Sequence, residues 1–307
     1  MKEIYIAGYA ENENDIHSAV YWKDEKQTQL TGKKEFAEAY SLFVSQSDIY
    51  IAGRLFKEHK PAAVYWKNGE CVLLAEETQS SWANSIFVSG SDIHIVGDEF
   101  LKLNGGVHTP VYWKNGEKTF LADKRQYGNA HQVIASDDDI YVAGTISNEW
   151  HIHTAVCWKN GIPLLLSDGT KDAYVSSIFA SGSDVYIAGA ENNGKYWKNE
   201  KEIILTNGTE NAHVKCLFVT DSDVYVAGST CSGTKETAVY WKNGELIPLT
   251  DGTQNAEVQS IFVSESNVYA AGYVTKEDIR VAAYWKNGKE TLLSDKYSMA
   301  CSIVVIP

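Results

Sequence analysis

Three groups of residues in this 307-residue chain carry side chains that could do chemistry. The densest is Glu149-Trp150-His151-Ile152-His153. On an extended strand, two-residue spacing places Glu149, His151 and His153 on one face, and imidazole with carboxylate is a combination that holds zinc. No fourth ligand accompanies them, so a solvated loop entering a strand is the simpler account, and no metal or other cofactor is expected. The second group is His131, His213 and Lys215. A histidine can serve as general base and a nearby cation can stabilise an oxyanion. The third is five cysteines, Cys71, Cys157, Cys216, Cys231 and Cys301. Their odd number and irregular spacing argue against a disulfide framework. They favour a reducing, cytoplasmic setting over a secreted or cell-surface one. Gly-x-Ser-x-Gly, the phosphate loop, His-Glu-x-x-His, the EF-hand loop and paired Cys-x-x-Cys do not occur. Asp-Gly-Thr at 168–170 and 251–253 and Asn-Gly-Thr at 207–209 fit turn chemistry. The last is also a formal glycosylation acceptor.

Composition narrows the functions these groups could serve. Forty acidic residues against 27 basic ones leave a formal net charge of -13. Nucleic-acid binding needs a basic footprint, which is missing, and an anionic membrane surface repels such a chain. No apolar run approaches the roughly 18 residues of a membrane span. Neither a nucleic-acid partner nor membrane insertion is expected.

The elements that must position these side chains follow from a repeat. Trp22, Trp66, Trp113, Trp158, Trp197, Trp241 and Trp285 recur about every 44 residues. A second marker keeps the same period: the glycine of an Ile/Val-Tyr-x-Ala-Gly phrase, varied to Ile-His-Ile-Val-Gly in one copy, at Gly8, Gly53, Gly97, Gly144, Gly189, Gly228 and Gly272. Such a period belongs to four-stranded propeller blades. Residues 258–293 illustrate one unit, with strands at 258–263, 268–272, 281–285 and 290–293 and a polar loop from Tyr273 to Arg280. Asn-Gly at 68–69, 115–116, 160–161, 243–244 and 287–288 is the strongest short hairpin signal, since both residues of a type I′ turn need positive φ. The first unit begins at its second strand, and 302–306 is a first strand with nothing after it. Pairing of 302–306 beside 4–8 would close the ring and remove exposed sheet edges.

On these residues the chain resembles a seven-bladed β-propeller along essentially its whole length, with a blade order similar to the NHL type. The resemblance implies an all-β domain spanning 1–307. It implies no functional family, because propellers serve as platforms, scaffolds, lyases and hydrolases alike.

Seven copies in one chain can be compared with one another. Positions that carry the fold should agree, whereas positions that face a partner are free to differ. Four residues before the first-strand aromatic stand Ala39, Ala83, Ala130, Val175, Val214, Val258 and Ala300, a packing column. One residue later stand Tyr40, Asn84, His131, Ser176, Lys215, Gln259 and Cys301, all different. One residue earlier stand Glu38, Trp82, Asn129, Tyr174, His213, Glu257 and Met299. Five residues before each tryptophan stand His17, Pro61, His108, His153, Asn192, Glu236 and Arg280. In a propeller these columns gather at one mouth of the central channel. The expected function is therefore a non-enzymatic, monomeric binding module for a protein, peptide or glycan. Tyr40, Trp82, Trp150 and Tyr174 would give flat contact area, while Asn84, His131, Lys215 and Gln259 would orient the ligand and Ser176 and Glu257 join them as ligand-binding candidates. Two alternatives use the same mouth: a lyase or hydrolase with His131 as base and Lys215 or His213 at an oxyanion, and a pure scaffold.

Overall fold

The computed structural model of the protein describes residues 2–75, 79–102, 106–148, 151–191, 193–205, 211–231 and 233–307. Every regular element among these residues is a β-strand: 28 strands in seven four-stranded antiparallel sheets. The sheets form the blades of a seven-bladed propeller. In blade one the strand Ser298–Ile306 pairs with Glu3–Glu11, followed by 17–23 and 26–29. Blades two to seven follow in chain order over 37–73, 81–120, 128–165, 173–204, 211–248 and 256–292. The terminal strands thus meet in one sheet, as the incomplete first and last repeats require, and the inner strand runs from 298 rather than 302.

Each repeated residue has a physical task. The seven tryptophans on the third strands are buried between neighbouring blades, six of them at 0–1% exposure. The Asn-Gly pairs form the expected hairpins, with φ of 52° at Asn68 and 87° at Gly69. Asp24-Glu25 and Asn199-Glu200 adopt the same backbone without glycine. The aspartate of the first turn then ties the two turns of a blade together. Asn68 Nδ2 donates to Asp48 Oδ1 at 2.8 Å while Asn68 Oδ1 accepts from the Ile49 amide at 2.8 Å. The same amide–carboxylate pair recurs at Asn115–Asp92, Asn160–Asp139, Asn199–Asp184 and Asn243–Asp223. These bonds, together with adjacent lysines, hold the carboxyls below their ordinary range. Five of the seven blades therefore carry the same structural lattice on one face of the ring.

The opposite face departs from expectation in one respect. The loop expected over Tyr273 to Arg280 shrinks to a two-residue turn at Glu277-Asp278, with φ of 47° and 66°, because the flanking strands run on to Lys276 and from Ile279. Strand pairing satisfies backbone groups that a polar loop would leave to water.

The inner strands are linked around the ring by side chains. Ser41 Oγ accepts from the Ile86 amide at 3.2 Å, Ser85 from Val133, Gln132 Oε1 from Ile178 at 2.7 Å, and Ser177 from Leu217. Ser260 accepts from Ile303, and Ser302 from Leu42 at 3.1 Å across the closure. Cys216 holds the serine position in blade six, its thiol set against the Ile261 backbone. Each blade thereby caps an inner-edge amide of the next.

Candidate functional site

The first strand of each blade carries a β-bulge, and the bulge falls on the divergent column in all seven. Pairing steps from Ala39 to Ser41 past Tyr40, from Ala83 to Ser85 past Asn84, and from Ala130 to Gln132 past His131. It steps likewise past Ser176, Lys215, Gln259 and Cys301. A bulge adds one unpaired residue and re-aims its side chain. Here the seven side chains line one cavity of about 310 Å³ at the mouth of the central channel. The repeated glycine stands opposite. A Cβ on Gly53 would lie 2.0 Å from the Glu38 carbonyl oxygen, and one on Gly228 would lie 1.8 Å from that of His213. Glycine is thus what lets the bulged backbone approach its partner strand. Phenylalanines of the same strands also line the cavity, with Phe43–Phe87, Phe179–Phe218 and Phe218–Phe262 centroids 4.7–4.9 Å apart.

Three buried carboxylates organise the polar side of the mouth. Glu38 accepts from Tyr40 Oη at 2.5 Å and from Arg54 Nε at 2.8 Å, and lies 3.0 Å from His17 Nδ1. Burial opposes its charge, but the bonds from His17 and Tyr40 and the Arg54 guanidinium outweigh that cost and hold the carboxyl below its ordinary value. Asp98 pairs with His108 Nδ1 at 2.7 Å and accepts from Asn84 Nδ2 at 3.2 Å. Glu257 accepts from Gln259 Nε2 at 2.6 Å, with Ser229 Oγ and Lys215 Nζ each at 3.4 Å. Nearby, His213 Nδ1 lies 3.2 Å from Glu236, and Tyr273 Oη donates to the other Glu236 oxygen at 3.3 Å.

An aromatic arc rises beside these groups. Trp82–His108, His108–Tyr127, Tyr127–His153 and His153–Tyr174 centroids are 4.9, 6.0, 5.5 and 5.1 Å apart. Tyr127 and Tyr174 present the most open faces, at 39% and 46% exposure.

The residues singled out from sequence fare differently. Tyr40, Asn84, His131, Ser176, Lys215 and Gln259 converge on the channel, while Trp82 and Tyr174 join the arc. Tyr40 offers less flat surface than expected, because its hydroxyl is engaged by Glu38 and Arg54 lies over its ring at 5.8 Å. Ser176 Oγ donates to its own sheet at the Ala188 carbonyl. Burial pushes His131 below its ordinary 6.5. The Asp98 charge opposes that shift and the Lys215 charge adds to it. Of the cluster at 149–153, the structure describes 151–153. His151 sits in a turn at φ 61°, and the strand begins only at His153, whose Nδ1 lies 3.2 Å from Ser147 Oγ. Glu149, Trp150, Asn192 and the 207–209 acceptor lie outside the described residues. All five cysteines are unpaired, and burial pushes the Cys157 thiol up to about 12.

His17, His108 and Glu236 stand in the column five residues before each tryptophan, but Asp98 and Arg54 stand in none of the columns singled out from sequence. One more internal comparison reveals both. The residue after the repeated glycine runs Tyr9, Arg54, Asp98, Thr145, Ala190, Ser229 and Tyr273, a further divergent column.

No family model matches the chain, and no curated protein does. Solved structures match in fold. A puromycin-hydrolysing peptidase of Mycobacterium tuberculosis aligns over 95% of this chain with a TM-score of 0.61 and 10% identity. Prolyl endopeptidases align over 99% at TM-score 0.58 and 12% identity. This chain spans about half the length of each, 51% and 50%. The β-propeller domain of the Trilobed protease from Pyrococcus furiosus, described as having an open velcro topology, aligns over 96% of this chain and 95% of its own. Its TM-score is 0.56 and its identity 14%. At such identities the likeness carries the fold alone.

Proposed function

We propose that the protein is a non-enzymatic binding module that receives a glycan at the channel mouth and the aromatic arc beside it. The observation that carries this reading is the coincidence of all seven bulges with the one column in which every blade differs. A fold-keeping position would repeat, as the small apolar alanines and valines one residue earlier do. Among the protein, peptide and glycan classes, the arc favours glycan, because Trp82, Tyr127 and Tyr174 offer rigid faces on which sugar rings stack. The amide and hydroxyl groups of Asn84, Gln259 and Ser176 suit neutral hydroxyls. The hydrolase or lyase reading is weaker here. Lys215 is turned towards Glu257 and His213 towards Glu236, so either must leave a carboxylate before meeting an oxyanion.

A glycan array followed by calorimetry tests the proposal. Tyr174→Ala should weaken capture about tenfold or more, as loss of an aromatic anchor does, with the melting temperature little changed because Tyr174 is half exposed. Capture of peptides but not glycans would replace the ligand class. Turnover abolished by His131→Ala would replace the binder with the enzyme.

A further inference from the structure

The structure assigns a divalent transition-metal site, of the zinc class, to His213, Glu236 and Glu257, an inference independent of the glycan reading. One donor atom from each of these side chains lies within 4.8 Å of the others. Two ligands of a tetrahedral zinc at its usual bond lengths sit roughly 3.3 Å apart, and His213 Nδ1 and Glu236 Oε1 are already 3.2 Å apart. Only Glu257 has to close in.

A second observation points to a cation ligand. The three buried carboxylates of the mouth differ in how close their partners lie. Glu38 has the Arg54 guanidinium at 2.6 Å and Asp98 has His108 at 2.7 Å. The ion-pair partner of Glu257 is the Lys215 ammonium at 3.4 Å, beyond the 2.7–2.9 Å of a good charge-assisted bond. Glu257 is nonetheless 7% exposed, and a buried carboxylate is costly without a close counter-charge. With Glu236 beside it, the two carboxylates share the Lys215 ammonium and the Arg280 guanidinium, which lies 4.7 Å over the Tyr273 ring rather than on either carboxylate.

The ligands are also held from behind, as metal ligands are. Tyr273 Oη donates to Glu236, and the Glu236 amide donates to Asn255 Oδ1 at 3.0 Å. Gln259 and Ser229 brace Glu257. His213 is half exposed on the mouth side, leaving entry and a further coordination position towards solvent. One imidazole with two carboxylates suits zinc or manganese rather than calcium, which takes six to eight oxygens. Lys215 acts as a built-in competitor for the metal.

Isothermal titration of the metal-stripped full chain with Zn²⁺, Mn²⁺ and Ca²⁺ tests the assignment. One Zn²⁺ per chain is expected. His213→Ala and Glu257→Gln should each weaken binding about tenfold or more. Lys215→Met should strengthen it about three- to tenfold by removing a like charge. The His213 and Lys215 variants alter exposed or half-exposed side chains and decide the matter if Glu257→Gln fails to fold. Absence of saturable binding in both the wild type and Lys215→Met would overturn the site. So would zinc binding that survives the His213→Ala/Glu236→Gln pair, since the donors would then lie elsewhere, such as at exposed Cys71.

Discussion

Among the single side chains of the mouth, histidines meet carboxylates in three blades: His17 with Glu38, His108 with Asp98, and His213 with Glu236. His153 lies against Ser147 Oγ instead, and His131 differs again. It projects from a bulge into the channel, and burial works against its charged form more than the Asp98 carboxylate supports it. It therefore stands neutral at pH 7, able to donate from one ring nitrogen and accept at the other. That form suits hydrogen bonding to an uncharged ligand. Its shift also has a sign in stability. The unfolded chain takes up a proton as pH falls through 6.5, while folded His131 does not until lower pH. Its contribution is complete above 6.5 and is lost as pH falls from there towards the folded value. A proton NMR titration should place the His131 midpoint below 6.5, and Lys215→Met should move it upward. In chemical denaturation, the wild type should lose more stability than His131→Gln between about pH 6.5 and 5. A midpoint at or above 6.5 would contradict the burial of the ring.

Within one element, the bulge and its glycine form a single device. An added Cβ at Gly228 meets the His213 carbonyl at 1.8 Å, and a main-chain atom cannot swing aside as a side chain can. Either the bulge or the pairing must yield. We expect Gly228→Ala to lower the unfolding free energy by about 3 kcal/mol, the upper range of overpacking. Gly90→Ala, at φ 59° with open space around it, should cost about 1–2 kcal/mol, from backbone handedness alone. Equal losses in a urea titration would remove the close-approach argument. The device also marks how far the sequence was legible. The Asn-Gly hairpins could be read directly, because turn chemistry is local and two residues specify it. Both halves of the bulge were visible too, the constant glycine and the varying residue at Tyr40 or Lys215. Their opposition was not, because it joins positions such as Val214 and Gly228 that only strand pairing brings together. The same holds for Asp98, whose importance comes from His108 and Asn84 on neighbouring strands. At His151 a positive φ, which the spacing of His151 and His153 does not disclose, interrupts the alternation that a strand would impose.

Across the whole molecule, the site depends on closure. The cavity needs all seven inner strands, and one of them, Ser298–Ile306, arrives from the far end of the chain to pair with Glu3–Glu11. That strand brings Cys301 to the bulged ring and Ala300, Ile303 and Val305 to the core between blades one and seven. It also makes two links of the inner hydrogen-bonded ring, Ser302 to Leu42 and Ile303 to Ser260. Removing residues 298–307 would leave the inner edge of Glu3–Glu11 unpaired, a template for association with other chains, and would open the channel wall. The truncated chain should melt at least about 10 °C lower, as loss of several kcal/mol implies for a domain of this size, and should self-associate in analytical ultracentrifugation. A synthetic peptide of 298–307 added in trans should restore part of both properties by reoccupying the edge. A monomeric truncation with unchanged melting would mean that blade-to-blade packing alone holds the ring. The argument extends to ligand capture. If closure positions the bulged side chains, the truncated chain should lose mouth binding even where its remaining blades are folded, and the peptide should return binding and stability together.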